Sequence, residues 1–308
     1  MKRNVKGFSI VELLTVMSII VLLLSLLLPG MNMVRRYAKD LTQRSQFHDI
    51  EVGQDLFFND YDEEYVNSSR FDTDDNEYCG AMKLCEAMKG QDGLGFHQDS
   101  MLNEDGLSAS GEELYPNWGT GLPVYTPAQI RSLRARVKYV DNDKINVTPL
   151  SQLYSNVGLF TAADPNEGGG CAVITDVYKK YRNIETMEKV GLPILYYRAD
   201  GDKLSHNIDD PGPLETIGGL PNENIYNYSD NYDLLNLGLP DEPTFVHPLF
   251  KDVADLTYPN EGQSFYKVTR NEKAPSIHQP YNKNTYILIA AGHDGIYGTR
   301  DDICNFKK

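Results

Sequence analysis

Three carboxylates lie close together near the C-terminus and could bind a metal ion. Asp294, Asp301 and Asp302 fall within nine residues, and the three glycines between positions 292 and 298 allow the backbone to turn tightly around them. Oxygen donors on a turning backbone suit Ca²⁺, which takes about six to eight oxygens from carboxylates and main-chain carbonyls. A solvated acidic turn would carry the same residues, so the spacing leaves both interpretations open.

One glutamate interrupts the apolar N-terminal segment. Of the 21 residues at positions 8–28, 16 are apolar and Glu12 is the only ionisable one. A charge in apolar surroundings is costly unless a partner compensates it. Cleavage between Gly7 and Phe8 would supply that partner, because the new α-amino group is positive near neutral pH and a neighbouring subunit could offer it to Glu12. We therefore interpret Glu12 as an assembly residue that sets the register between packed helices, not as a catalyst.

Motifs of enzymatic chemistry are missing from the sequence. The chain has no G-x-S-x-G, H-E-x-x-H, G-x-G-x-x-G or P-loop pattern, and its six histidines are scattered. The four cysteines lack the C-x-x-C pairs of a zinc site. In an oxidising compartment Cys304 could form a disulfide with Cys171 or with one of Cys79 and Cys85. Cys79 and Cys85 are alternatively small buried residues, or they form a local disulfide with each other. We expect no enzymatic activity and no catalytic residues.

The apolar segment also predicts where the protein resides. It reaches the roughly 20 residues that a helix needs to cross a bilayer core. Lys2, Arg3 and Lys6 precede it, so the positive-inside rule places the N-terminus in the cytoplasm and the remainder outside. A secretory signal peptide would have a shorter apolar core and an A-x-A-like cleavage site, which is absent here. The sequence predicts a single membrane-spanning helix.

Composition excludes two broad classes of protein. The chain has 308 residues, 41% of them hydrophobic, which does not fit a polytopic membrane protein. With 44 acidic and 29 basic side chains its formal charge is −15, whereas nucleic-acid binding requires clustered lysine and arginine to neutralise phosphates. We expect no nucleic-acid partner.

The N-terminal residues resemble a known processing signature. The octapeptide Lys-Gly-Phe-Ser-Ile-Val-Glu-Leu at positions 6–13 is similar to the prepilin cleavage and methylation signature of type IV pilins and type II secretion pseudopilins, and Pro29 falls where that family commonly has a kinking proline. The resemblance implies that a prepilin peptidase cleaves after Gly7 and methylates the amine of Phe8. It also implies that Glu12 matches the Phe8 amine of a neighbouring subunit in a filament.

The same resemblance implies a domain organisation and an α+β, pilin-like fold in which a long N-terminal helix packs on an antiparallel sheet with large loop insertions. The expected parts are a leader at 1–7, a transmembrane and filament-core helix at 8–30, an extended amphipathic helix at 31–62, and a globular head at 63–308.

Local patterns predict several elements of the head. The β-rich runs at 192–199 and 286–291 are expected strands, and residues 139–147 suggest a hairpin. The run at 171–181 is compatible with a helix or a strand. Short helices are expected at 79–90, 127–138, 232–237 and 250–256.

The C-terminal segment at 290–303 also resembles the calcium loop of the major type II secretion pseudopilins. By position, that loop's side-chain ligands correspond to Asp294, Asp301 and Asp302. Backbone oxygens near Ala291 and Thr299 would complete the shell, so the resemblance implies Ca²⁺ as a cofactor. Arg300 inside the loop departs from the pattern, as does a head much larger than that of the small major pseudopilins.

The resemblance therefore implies a structural subunit of a type II secretion pseudopilus or a related type IV pilus-like filament. Its partners would be further copies of itself, a prepilin peptidase and an inner-membrane assembly platform, with turnover driven by a separate ATPase. It would reside in the bacterial inner membrane with its head in the periplasm or, in the filament, at the cell surface. The alternative is a minor tip subunit or surface adhesin that binds cargo or carbohydrate. A membrane-anchored hydrolase using the same export route is a third interpretation.

Overall fold

A computed structural model of the protein describes residues 9–112, 114–115, 133–134, 136–141, 143–155, 172–203, 206, 223–250, 263–273 and 279–307. The predicted processing residues Gly7 and Phe8 lie outside this part of the chain, and so does Cys171. Most of the helices expected at 127–138 and 250–256 also fall outside it. The chain divides into two compact units, with the boundary between Thr42 and Gln43.

The first unit contains the apolar half of the long N-terminal helix. This helix, α1, spans Ile10–Asp60 and continues without interruption through position 29. Its most apolar 18-residue window has a mean hydropathy of 2.7, and none of that window is buried in the protein. Ile10 is 81% exposed and Val34 is 67% exposed. By length and composition this part of α1 can span a membrane, and a bilayer would cover the apolar surface that its described residues expose.

The second unit is built on short antiparallel strands, which together with the helices confirm the α+β class. Three sets of paired strands are described: β1 (Asn146–Pro149) with β2 (Ala172–Thr175), β3 (Tyr181–Arg182) with β4 (Lys189–Val190), and β5 (Leu195–Arg198) with β6 (Tyr286–Ala290) and β7 (Ile303–Cys304). A bridge between Thr175 and Pro193 links β2 to the start of β5, where the Ile194 N–H donates to the Ile174 carbonyl at 2.7 Å. The end of β2 therefore lies beside the segment that leads into β5, while β5, β6 and β7 form one sheet in that order.

The strands expected at 192–199 and 286–291 correspond to β5 and β6, and the ambiguous run at 171–181 contains strand β2. The predicted hairpin at 139–147 is wrong. A turn does form, with the Lys144 N–H donating to the Asp141 carbonyl at 3.2 Å, but β1 then pairs with β2. Residues before the turn pair elsewhere, since Val137 bridges to Phe96. Long-range pairing has overridden the local hairpin pattern.

Successive residues of β2, β5 and β6 are buried on opposite faces of these strands. On one face Ile174, Tyr196 and Leu288 pack in a cluster with Phe47 and Ile50 from the second half of α1. On the opposite face a second cluster covers the intervening residues, among them Val173, Leu195, Tyr197, Ile287 and Ile289. Because a strand turns successive side chains to opposite faces, a sheet covered on both sides reads as a continuous apolar run.

Buried glutamines connect the second half of α1 to the end of β2. The Gln46 side-chain amide donates to the Thr175 carbonyl at 3.0 Å, and the Val177 N–H donates to Gln43 Oε1 at 3.0 Å. Both glutamines are at most 2% exposed. These bonds satisfy backbone groups beyond the strand end that would otherwise be buried without partners.

The second helix is a core element rather than part of a loop insertion. Helix α2 spans Gly80–Lys89, as the sequence predicted, but every one of its residues is buried. Its side chains join both apolar clusters, with Met82 on one side and Leu84 and Met88 on the other. The segment that contains α2 therefore contributes part of the core.

The cysteines in the described part of the chain are free thiols. Cys79, Cys85 and Cys304 are buried, and none of them is bonded to another. Burial raises the pKa of both Cys79 and Cys304 to about 12. They behave as small apolar residues, in agreement with one of the two interpretations open for Cys79 and Cys85.

Two further short helices complete the described fold. Helix α3 (Tyr232–Asn236) confirms the prediction at 232–237, whereas α4 (Gln263–Thr269) was not predicted. Single turns of 3₁₀ helix lie at Leu150–Gln152 and Tyr228–Asn231.

Candidate functional site

The C-terminal acidic segment forms the connection between β6 and β7. The pair Ala290 and Ile303 closes it, so residues 291–302 make one loop whose ends are fixed by the sheet. Three glycines in the loop have positive φ angles: Gly292, Gly295 and Gly298. The sheet therefore brings the two ends of the acidic segment together, as a chelating loop requires.

Gly292 is required by the close approach of the two ends. Its φ is +66°, and a Cβ at this position would lie 2.2 Å from the main-chain oxygen of Asp301. Only glycine fits there without displacing the backbone of a proposed ligand.

We expect Gly292→Ala to lower the free energy of unfolding by about 1–3 kcal/mol, since it combines an unfavourable φ with a backbone contact. Chemical denaturation monitored by fluorescence measures this. Gly201→Ala is the matched control because an added Cβ there meets no atom within 4 Å. Equal stability of the two variants would contradict the role given to Gly292.

Hydrogen bonds within the loop hold the carboxylates of the three predicted ligands, Asp294, Asp301 and Asp302. Asp301 Oδ2 accepts from the Asp294 N–H at 2.9 Å, and its Oδ1 accepts from the Thr299 hydroxyl at 2.6 Å. Asp302 Oδ2 accepts from the Gly298 N–H at 2.8 Å. Asp294 Oδ1 accepts from the N–H two residues later at 2.8 Å. Each carboxylate thus holds one part of the loop and leaves lone pairs for a further partner.

The electrostatics of the loop are unfavourable for three negative charges. Burial raises the pKa of Asp302 to about 7, although backbone hydrogen bonds from Gly298 and Thr299 lower it, and the charges of Asp301 and Asp294 add to the rise. Burial also raises the pKa of Asp294. Burial would raise the pKa of Asp301 too, but hydrogen bonds from Thr299 and from the Asp294 amide lower it below its ordinary value. Among the described residues, Asp302 Oδ1 is buried and has no hydrogen-bond partner.

The loop chemistry fits a hard cation if main-chain oxygens take part. Within the described residues, no three His, Cys, Asp or Glu side chains meet in a ready-made metal-binding group. A Ca²⁺ ion takes carbonyl oxygens as well as carboxylates, so such a group is not a requirement for it. The orphaned Asp302 Oδ1 is the atom that most needs a cation. One cationic side chain is already present, because Lys180 Nζ donates to the main-chain oxygen of Asp294.

Glu12, the predicted assembly residue, lies in the first turn of α1 and caps its own helix. Its Oε2 accepts from the Ser9 N–H at 2.9 Å, while Ser9 Oγ accepts from the Val11 N–H at 3.3 Å. This reciprocal arrangement is a capping box. The Ser-x-x-Glu spacing at positions 9–12 was sufficient to predict it, and our sequence reasoning missed it. The carboxylate is therefore positioned by its own chain even without a neighbouring subunit.

Comparisons with protein-family models, curated proteins and solved structures found no match to this chain.

Proposed function

We propose that this protein is a pseudopilin, a structural subunit of a type II secretion pseudopilus or a related type IV pilus-like filament. The observation that carries the proposal is the exposed apolar half of α1, whose described large apolar side chains, from Ile10 to Val34, are largely open to solvent. A bilayer and the helical core of a filament are both apolar surroundings. The same surface can therefore move from one to the other at little cost in hydration free energy.

The processing signature at positions 6–13 supports this proposal. Cleavage after Gly7 by a prepilin peptidase frees the amine of Phe8, which is then methylated, and Glu12 of a neighbour pairs with it. The uncleaved chain is a single-pass protein of the bacterial inner membrane, with its head in the periplasm. An inner-membrane platform and a separate ATPase would insert the helix into the growing filament, and neither enzymatic activity nor a nucleic acid has a part in the proposal.

The mass of the membrane-extracted protein tests the proposal. We expect a chain that begins at Phe8 and carries one methyl group on its amine, as measured by intact-mass and N-terminal peptide spectrometry. Expression in a strain lacking prepilin peptidase should give the chain with residues 1–7 retained. An operative filament protein that keeps residues 1–7 in the normal strain would overturn the proposal.

We further propose that the loop at 290–303 holds Ca²⁺ through Asp294, Asp301 and Asp302 together with main-chain oxygens of the loop. A bound Ca²⁺ supplies positive charge that offsets the repulsion among the three carboxylates. The residues of the chain hold the loop in shape, since Thr299 and the Gly298 N–H orient two of the carboxylates. The proposed role of the ion is structural: it would stabilise the loop that connects the C-terminal strand β7 to the sheet.

Chelation should destabilise the protein. When the free Ca²⁺ concentration is a hundred times the Kd of the site, ligand linkage predicts that adding EGTA lowers the free energy of unfolding by about 2.7 kcal/mol. Differential scanning calorimetry of the full chain in detergent measures the change in melting temperature.

Asp302→Asn separates this effect from general destabilisation. It removes one of three mutually repelling charges, so the calcium-free variant should be at least as stable as the calcium-free wild type, yet show no response to EGTA. Asp99→Asn is the control, since the Asp99 side chain is 75% exposed and lies outside the loop. A wild-type melting temperature unmoved by EGTA would refute the calcium proposal.

A further inference from the structure

A polar groove lies on the second unit, and its described lining includes no residue of the acidic loop. It has a volume of about 540 Å³ and is bounded by the C-terminal end of α2, by β1 and by the β3–β4 hairpin. This volume falls within the range of small-molecule sites, about 300–1,000 Å³. Its polar lining includes Asn146, Thr148, Gln152 and Thr186. Neither the processing signature nor the acidic loop accounts for it.

Lys89 stands out among the lining residues. It is the last residue of α2 and is only 6% exposed. Among the described residues, the structure gives its ammonium group no hydrogen-bond acceptor and no ion-pair partner. A lysine near a helix C-terminus interacts favourably with the helix dipole, but it can do so while fully solvated. Most of the Lys89 side chain is covered, but its ammonium group is not among the buried atoms that lack a partner, so it reaches the solvent of the groove and is available to a ligand.

The charges around the groove favour an anion. Lys179 and Lys189 also line it. Of the two acids in the lining, Asp92 is already paired with Arg136 in a buried ion pair, which leaves Glu188 as the unpaired one. Within the described lining, three lysines stand against one free carboxylate, so the lining itself is positive on a chain whose net charge is −15.

Charged groups beyond the lining also act on Lys89. Burial is the largest influence on the pKa of Lys89 and lowers it. Lys138 lowers this pKa further, whereas Cys85, Asp143 and Asp141 raise it. An anion placed against Lys89 would reverse the effect of burial, because opposite charge stabilises the protonated form.

We propose that this groove binds a small oxyanion, a carboxylate or phosphate group, with Lys89 as its principal contact. Lysine offers three donors as a compact point charge, which suits a tetrahedral or carboxylate oxyanion. The amide and hydroxyl groups of the lining can bind the rest of a polar ligand. Among the described lining residues there is no aromatic ring on which a neutral sugar could stack, so the chemistry favours charge over stacking.

The test uses the full chain in detergent, with sodium phosphate and sodium citrate as probes and sodium chloride at matched ionic strength as reference. We expect one or both oxyanions to raise the melting temperature saturably, and chloride to have no such effect. Lys89→Gln should weaken the response at least tenfold. Lys283→Gln, at an exposed lysine outside the groove, should leave it unchanged.

A second measurement guards against misfolding of the Lys89 variant. Acetylation of lysines in the wild-type chain, followed by peptide mass spectrometry, should show Lys89 protected by the active oxyanion and Lys283 labelled at its usual rate. Protection would support the site even if the variant fails to fold. Stabilisation that is equal in chloride, or labelling of Lys89 that ignores both oxyanions, would overturn the proposal.

Discussion

We expect the Glu12→Val variant to insert into the membrane like the wild type and to form almost no filaments. Insertion should persist because the substitution makes the segment at 8–28 more apolar. Assembly should fail because the α-amino group of a neighbouring Phe8 would be buried against the helix without a counter-charge. The loss of one buried ion-pair partner corresponds to a reduction in association of roughly a hundredfold or more. Membrane fractionation and electron microscopy of sheared filaments measure the two effects separately.

The capping box at the start of α1 makes a sharper control possible. Glutamine at position 12 can still accept from the Ser9 N–H and so retains the cap, but it carries no charge. If charge matching drives assembly, Glu12→Gln should assemble as poorly as Glu12→Val. Ser9→Ala keeps the carboxylate while removing the hydroxyl that accepts from Val11, and it should still assemble. Normal filaments from Glu12→Gln would show that the cap, not the charge, is the function of this residue.

We expect Arg70→Met to destabilise the second unit by about 3–5 kcal/mol, because it leaves the Asp233 carboxylate buried without its counter-ion. The Arg70 guanidinium forms a bidentate pair with Asp233, with Nε to Oδ2 at 2.6 Å and Nη2 to Oδ1 at 2.7 Å. The two side chains are 10% and 8% exposed. Glu77 adds a third charge at 3.8 Å. Denaturant unfolding monitored by circular dichroism measures the change.

An exposed ion pair in the same unit provides the control. Arg198 and Glu64 lie 3.2 Å apart, but their side chains are 32% and 65% exposed. Arg198→Met should therefore lower the free energy of unfolding by only about 0–1 kcal/mol. Replacing both members of the buried pair, in Arg70→Met with Asp233→Leu, should restore most of the lost stability, since no uncompensated charge remains. If Arg70→Met proves as mild as Arg198→Met, the buried pair contributes nothing to the fold.

Sequence reasoning worked best where the deciding interactions are local. The N-terminal helix was expected to end near residue 62 and ends at Asp60. The apolar runs at 192–199 and 286–291 became β5 and β6. Predictions from sequence failed where the interacting residues are distant along the chain. The turn at 141–144 formed, yet its flanks paired with Phe96 and with β2 instead of each other.

In the candidate sites, too, local features could be predicted from sequence and long-range features could not. Spacing alone singled out Asp294, Asp301 and Asp302, because all three belong to one short loop. The oxygen left without a partner, Asp302 Oδ1, depends on how that loop folds, and no sequence pattern reveals it. Lys89 carried no signal at all, since a lysine at the end of a short amphipathic helix is normally solvated.

The sequence by itself determined the apolar helix with its single acid, the main strands and the acidic segment that follows the second of them. These features depend on residue type and on periods of two to four residues, which any local window contains. Only the tertiary structure decided that α2 is buried in the core, that β1 pairs with β2, and that three lysines meet around one groove. The physical reason is that burial and charge proximity arise from contacts between distant segments, whose free energy depends on the whole packing arrangement and not on neighbours in the chain.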